Sequence, residues 1–359
     1  MPNVQDFLHY VVDSGGSDMH IKVGGPPCVR VNGRLIRTEF PSMSATDCQT
    51  AAREMMTNDQ ISRLSEQGEV DFAYSVPDLG RFRVNVFHQR GSLGMAVRRV
   101  LPGSPSFSTL GLPPAVQTLA DEQRGMLLVT GPTPSGKTTT TGAIIDHINN
   151  TRHCHILTIE DPIEILHRDG QAIVNQREIG LDTQDFSSAL RAAMRQDPDV
   201  IFVGEIRDGE TVKAALQAAE TGHFVISTLH TTDVTETVNR MIDFFPPHQQ
   251  KQVRVSLAGS LRGVVSQRLL ARKDGRGRIP AVEVLIMNGR VRELILNPDQ
   301  THMIPDIVAE SGFYGMQTFD QSVLALYRAG LIELDDAMAG ATNSHDFQVA
   351  LHEEGFETV

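Results

Sequence analysis

The sequence has no run of 18 apolar residues, so nothing in it reads as a helix that crosses a membrane. Any role at a membrane is expected to come through a partner. Its three cysteines, Cys28, Cys48 and Cys154, are widely spaced and form no CxxC pair. That pattern excludes a disulfide framework or a four-cysteine zinc site and points to a reducing cytosol. The first residues, MPNVQDFLHYVVDSGGSD, carry no basic stretch ahead of an apolar one, so no signal peptide is expected. Positive charge is scarce: 32 Lys and Arg stand against 44 Asp and Glu, a net charge of −12. Non-specific nucleic-acid binding needs a basic footprint, and this balance argues against it. There are no internal repeats and no low-complexity tracts. What is left is ordinary globular composition, 40% hydrophobic and 21% charged, in a 359-residue chain long enough for two domains.

From Val31 to Val100 the pattern is of short strands, interrupted by a helical stretch near Ala45–Leu64. Over Arg81–Phe87, alternation puts Phe82, Val84 and Val86 on one face and Arg81, Arg83 and Asn85 on the other. Residues 101–114, LPGSPSFSTLGLPP, hold four prolines and three serines and read as a linker. The expected organisation is an N-terminal domain over residues 1–100, this linker, and a second domain over residues 115–359. In the second domain MLLVT (126–130), HILTI (155–159), DVIFVG (199–204) and FVIST (224–228) are short apolar runs suited to strands buried on both faces. Helical patterns lie between them, over Asp185–Gln196 and Glu210–Thr221. Strands alternating with helices predict an α/β fold with a mainly parallel sheet. The last hundred residues are expected to be helical in tendency, with a Gly-rich turn at Lys273–Arg278.

Residues 131–138, Gly-Pro-Thr-Pro-Ser-Gly-Lys-Thr, fit G-x-x-x-x-G-K-[ST] after an apolar strand and ahead of a helix through Asn149. In such a loop the backbone N–H groups surround phosphates, Lys137 reaches the β- and γ-oxygens, and Thr138 can hold Mg²⁺. The expected nucleotide-binding set is Gly131, Pro132, Thr133, Pro134, Ser135, Gly136, Lys137, Thr138 and Thr139. Three further segments raise binding to hydrolysis. Asp197–Glu205 is an apolar strand ending in a carboxylate, a Walker B arrangement in which Glu205 can support Mg²⁺ and its waters. Glu160, Asp161 and Glu164 follow another strand, where a carboxylate can deprotonate an attacking water. His223 and His230 bracket FVISTL, and a short strand is expected to bring both toward that same edge; the alternative is that each is a hydrogen-bonded structural residue.

Beyond these motifs, IEDPIE, NQREIGLDTQDFSSALRAAMRQDPDVIFVGEIRD, AAETGHFVISTLHT and SLRGVVSQRLL resemble the Asp box, Walker B region, His box and following helix of secretion and pilus ATPases. The resemblance runs from GGSDMHIKVGGPPCVRVNGRL to ATNSHDF, nearly the whole chain. It implies a PAS-like α+β N-terminal domain, a linker and a RecA-like P-loop ATPase domain with a helical C-terminal part, assembled as a homohexamer that uses ATP and Mg²⁺. By position it implies Glu164 as catalytic base, Glu205 as the Walker B glutamate, and His223 and His230 as residues that sense or position the γ-phosphate. It also implies Arg81, Arg83 and Arg98 as arginines that reach nucleotide; the other reading of these three is a solvated strand face. The assembly and type II secretion members carry an extra N-terminal region and usually a four-cysteine zinc insertion. No cysteine follows Cys154, so the chain looks like the retraction branch (PilT type) of the type IV pilus ATPases. That branch implies a cytoplasmic motor, peripheral to the inner membrane, that docks on a platform protein there and acts indirectly on pilin. Two departures stand out. The branch's C-terminal A-I-R-x-x-I-R-E-G-K-like helix is present only in part, as Asn288–Ile295, and Pro134 replaces a glycine usual in the phosphate loop. The rivals are an assembly or secretion ATPase, a nucleotide-dependent regulator of a sister motor, and a DNA-directed ring motor, the last disfavoured by the charge.

Overall fold

Reciprocal caps punctuate the first part of the chain. Asn3 opens α1 (Val4–Asp13), Ser44 opens α2 (Ala45–Met55) and Thr57 opens α3 (Asn58–Gln67), each exchanging bonds with the residue three positions on. The stretch expected near Ala45–Leu64 is therefore two helices, because Thr57 starts a second one. The computed structural model describes residues 3–31 and 33–353. They fall into two units, Met1–Pro102 with Glu164–Leu166, and Gly103–Ile163 with His167–Val359.

In the first unit β1 (Asp18–Lys22), β2 (Cys28–Val31), β3 (Arg34–Arg37), β4 (Glu69–Val76), β5 (Gly80–Gln89) and β6 (Ser92–Pro102) form an antiparallel sheet ordered β3-β2-β1-β6-β5-β4. Ile165–Leu166 adds alongside β6 in parallel, Ile165 opposite Leu101. One face of this sheet is buried: Phe82, Val84 and Val86 pack with Met19, Met95 and Phe7 of α1.

The second unit begins with two short helices, α4 (Phe107–Leu110) and α5 (Pro114–Ala120), then β7 (Gly125–Thr130), α6 (Lys137–Thr151) and β8 (His155–Glu160). After Ile165–Leu166 (β9) come β10 (Ile173–Glu178), α7 (Phe186–Ala193), β11 (Val200–Val203), α8 (Gly209–Glu220), β12 (Phe224–Leu229) and α9 (Val234–Asp243). The chain continues through α10 (Pro247–Ser260), β13 (Leu261–Ala271), β14 (Arg278–Ile286), α11 (Gly289–Leu296), α12 (Ile304–Glu310), α13 (Phe319–Arg328), α14 (Leu334–Gly340) and α15 (Ser344–Glu353). The sheet order is β10-β8-β11-β12-β7-β13-β14, all neighbours parallel except β13 and β14. Every residue of β7, β11 and β12 is buried, and separate apolar clusters cover the two faces.

The expectations for the last hundred residues need correcting. Leu261–Leu270, the body of SLRGVVSQRLL, is strand rather than helix, while the Gly-rich turn expected at Lys273–Arg278 is present and leads into β14 at Arg278. Val264 and Val265 sit fully buried against β7, where β-branched side chains pack well.

Candidate nucleotide-binding site

Because β7, β8, β11 and β12 run parallel, their C-terminal ends share one edge of the second sheet. The phosphate loop leaves β7 at that edge. A side chain at Gly131 would run into the Ser135 hydroxyl and the Gln267 carbonyl, so only glycine fits beside β13. Gly136, at φ 91°, caps α6 in the left-handed region that favours glycine. Pro132, Thr133 and Pro134 are exposed between them, with the Thr133–Pro134 peptide cis. Lys137 Nζ donates to the carbonyls of Gly131 (2.7 Å) and Pro132 (3.3 Å). Thr138 is exposed and Thr139 half-buried on the first turn of α6.

Glu205 stands two residues beyond β11, on a backbone fixed from both sides. Gly204 N–H donates to Ile159 O (2.8 Å), Ile206 N–H to Thr228 O (3.0 Å), and the Thr228 hydroxyl to Gly204 O (2.7 Å). One Glu205 oxygen accepts from Arg207 Nη2; the other lies 3.5 Å from His230 Nε2. His230 Nδ1 is in turn 3.3 Å from the Thr133 hydroxyl. Arg207 Nη1 donates to Asp161 Oδ2 at 3.1 Å. A chain of side chains, Asp161–Arg207–Glu205–His230–Thr133, thus ties the ends of β8, β11 and β12 to the phosphate loop. The hydrogen bond with Glu205, followed by the charges of Glu205 and Asp161, holds the Arg207 guanidinium above its usual value. A cavity of about 380 Å³ is lined by Glu205, Arg207 and His230 together with Glu236, Arg240 and Phe244. Glu160 is buried, with one oxygen accepting from the Thr158 hydroxyl (2.6 Å) and from Gln176 Nε2 (3.0 Å), which gives it a structural commitment.

The sequence reading assigned nothing to Arg207, although it stands only two residues past the Walker B glutamate. Spacing alone did not reveal that its fork reaches a second strand end. The expected meeting of His223 and His230 is corrected. Six strand residues separate them, roughly 20 Å at the usual rise, so a strand carries its two ends to opposite edges. His223 sits at the far edge, its Nδ1 2.9 Å from Ala218 O and its carbonyl accepting from Gly125 N–H at the start of β7.

Glu164 is exposed and groups with the first unit, as do the three arginines. Arg83 on β5 is directly opposite Arg98 on β6, and Arg98 is opposite Asp18 on β1, with Nε to Oδ1 at 2.8 Å. Arg30 on β2 completes the row, 3.9 Å from Asp18. Burial opposes the Asp18 charge, but hydrogen bonds from Arg98 and Ser17 outweigh it and hold the carboxyl below its usual value. Arg81, half-buried, lies further along β5, opposite Val100.

The residues at the second sheet's edge fit nucleotide phosphates and a hard cation. A buried Ser135 hydroxyl with no hydrogen-bond partner joins the loop N–H groups and the Lys137 ammonium as donors to anionic oxygen. Thr138 and Glu205 offer only oxygen ligands, as Mg²⁺ prefers. Among the described residues no group of three or more His, Cys, Asp or Glu is arranged to hold a metal by itself.

The family described as Type II/IV secretion system protein matches residues 2–325. The type IV pilus retraction ATPase PilT of Pseudomonas aeruginosa is 40% identical over 345 residues, covering 96% of this chain and 100% of that protein. The twitching motility protein of Neisseria gonorrhoeae is 45% identical over 319 residues, 89% of this chain and 85% of that one. A crystal structure of the pilus retraction motor PilT with bound ADP matches with a TM-score of 0.88 at 44% identity, over 97% of this chain and 100% of that one. Legionella pneumophila DotB, an ATPase, matches with a TM-score of 0.75 at 28% identity over 94% of this chain and 95% of that one. With a family match across most of its length and relatives this similar over nearly all of theirs, the chain belongs to the Type II/IV secretion system protein family.

Proposed function

We propose that this chain is a Mg²⁺-dependent ATPase that works as a homohexameric motor of type IV pilus retraction. The observation that carries the hydrolytic part is the chain Asp161–Arg207–Glu205–His230–Thr133, which joins a complete phosphate loop to the Walker B strand end. The N–H groups of Gly131–Thr139, Pro132 and Pro134 excepted, cradle the phosphates, and Lys137 meets the β- and γ-oxygens. Thr138 and Glu205 would hold Mg²⁺ and its waters; the ion supplies neutralisation of the β/γ-phosphate charge. His230, anchored between Glu205 and Thr133, orients the γ-phosphate. The proton of the attacking water is assigned to Glu164 on the resemblance. Arg81, Arg83 and Arg98 are assigned to nucleotide on the resemblance, and His223, at the far edge, is given no phosphate contact. Retraction rests on the likeness to PilT and to the twitching motility protein. The partners are then an inner-membrane platform protein and, through it, pilin, with the motor at the cytoplasmic face.

Two measurements test this reading. Steady-state phosphate release should rise with protein concentration as oligomers form, with a species near six protomers in sedimentation; full activity in a strict monomer removes the ring. Supplied to a bacterium that lacks its retraction ATPase, the chain should restore twitching. Failure there, with piliation restored instead in a bacterium that lacks its assembly ATPase, would move it to the assembly branch.

A further inference from the structure

The loop that carries His230 runs directly into α9. Thr231 and Thr232 follow the histidine, Asp233 caps the helix by accepting from Glu236 N–H at 2.8 Å, and Val234 is its first residue. Two buried ties hold this turn. The first is a chain of hydroxyls. Thr237 donates to Asp233 O (2.6 Å) and lies 2.7 Å from Thr231 Oγ1 and 3.4 Å from Thr130 Oγ1; Thr130 is 2.8 Å from Ser266 Oγ. Thr130 is the last residue of β7, so this chain links the His230 loop to the root of the phosphate loop. The second tie is Glu283 on β14. Its Oε2 accepts from Val234 N–H at 2.9 Å, and the residue is 6% exposed. Ser266 and Glu283 are directly opposite on β13 and β14, so both ties end on one cross-strand pair.

The charged groups that act on Glu283 come from three elements: Asp233 at the cap of α9, Arg268 on β13 and Asp320 on α13. Arg268 is engaged elsewhere. It donates to Gly340 O (2.8 Å), reaches Thr342 Oγ1 (3.3 Å) and stacks 3.9 Å over the Phe319 ring. The Val234 amide is therefore the hydrogen-bond donor to this buried carboxylate among the described residues.

We propose that Glu283 is a positioning residue for hydrolysis: by holding the Val234 amide it sets the start of α9 and with it the loop that presents His230. This rests on the reading that His230 acts on the γ-phosphate. An ionised carboxylate accepts an amide N–H more strongly than a neutral acid or amide does. Burial first, then the nearby Asp233 and Asp320, raise the Glu283 carboxyl to about 7 against the pull of the Val234 amide and Arg268. The hold on α9 accordingly tightens as pH rises through neutrality.

The test compares the intact protein with Glu283→Gln, which keeps shape and an acceptor oxygen but carries no charge at any pH. The ratio of wild-type to variant kcat should rise about fivefold from pH 6 to pH 8 with nucleotide KM within about twofold, the pattern of an interaction felt in the reaction rather than in binding. Over the same range, hydrogen exchange at the Val234 amide should slow in the wild type relative to the variant. Glu283→Asp keeps the charge but draws it back by one methylene, and should lower kcat about fivefold at pH 8 while remaining folded. His230→Gln separates the two readings. If it hydrolyses normally, the role of His230 falls, and the Val234 exchange still decides whether Glu283 holds the turn. A kcat ratio constant within about twofold across this range, with unchanged Val234 exchange, overturns the proposal.

Discussion

In the first sheet, Phe82, Val84 and Val86 are 0% exposed while Arg83 between them is open to solvent; in the second, β7, β11 and β12 are buried from end to end. An antiparallel sheet with one free face can carry polar groups along its strands, and here it carries Arg30, Asp18, Arg98 and Arg83 as a row. A parallel sheet covered on both faces has no such place. The groups it presents to solvent gather in the loops at the strand ends, where Thr133, Asp161, Glu205, Arg207 and His230 meet. Polar groups on an open face are solvated and cheap to alter. Those at the strand ends are held by backbone fixed on several sides, so small changes there reach the reaction directly.

The largest effect should follow from the carboxylates. Glu205→Gln leaves the fold intact, because its backbone is held by Ile159 and Thr228 rather than by its side chain. It should cut turnover by about 10²-fold and change the Mg²⁺ concentration needed, read by titrating Mg²⁺ against bound fluorescent nucleotide. Glu164→Gln should retain ATP binding and lose hydrolysis by ~10²-fold or more. Near-normal turnover in Glu164→Gln would pass the base role to Asp161, since Glu160 is already committed to Thr158 and Gln176.

The second effect is on stability. In the unfolded chain Glu283 titrates near 4.5, and in the folded protein near 7. Between these values the folded state binds more protons, so stability is greatest below about pH 4.5 as far as this group is concerned, and falls as pH rises toward 7. A gap of that size corresponds to roughly 3 kcal/mol at most. Glu283→Gln should remove this slope, so the melting temperature of the variant gains on that of the wild type from pH 5 to pH 8. Equal slopes would place the carboxylate in a more solvated setting than β14 provides. The charge that steadies α9 thus costs the fold something, a conflict expected where function and stability compete.

How much of this was legible follows from the same contrast. The phosphate loop and the Walker B strand are local in sequence, and their residues act where the chain runs straight from strand to loop. The alternation of Arg81–Phe87 is equally local. The resemblance implies a helix over SLRGVVSQRLL, and no period-2 signature opposes it, because a strand buried on both faces shows none; only its place beside β7 decides it. His223 and His230 are close in sequence yet lie at opposite ends of the strand between them, which no spacing of seven positions reveals. Arg207 needed Asp161, 46 positions away, and the hydroxyl chain needs Thr130, Thr237 and Ser266. No spacing rule joins such residues before the sheet order does.

A third, smaller effect belongs to Pro134, at the tip of the loop and exposed. Proline offers the phosphates no N–H, and a lost charge-assisted hydrogen bond is worth roughly 1.5–3 kcal/mol. The stiffer chain recovers about 0.4–1 kcal/mol of ordering entropy where its geometry fits. Pro134→Gly should therefore tighten ATP binding by about tenfold in calorimetry. Unchanged or weaker binding would mean that this position does not face a phosphate oxygen.

The smallest effect should come from the open face of the first sheet. Arg98 is 70% exposed on its side chain, whereas its partner Asp18 is 14% exposed. An ion pair this exposed is screened, and its usual worth is about 0.2–1 kcal/mol. Arg98 also stands directly opposite Arg83, so its removal relieves a like-charge pair, and Asp18 keeps Arg30 at 3.9 Å. Arg98→Ala should accordingly change stability by less than about 1 kcal/mol, and less still in high salt. Asp18→Asn should cost more, because three arginines then share the row without a counter-charge. Melting the two variants side by side at low and high ionic strength measures the difference. If Arg98→Ala is the more damaging, the arginine row is part of the scaffold of the first sheet. If it is nearly silent in stability yet lowers turnover, the row is free for the nucleotide, as an open face allows.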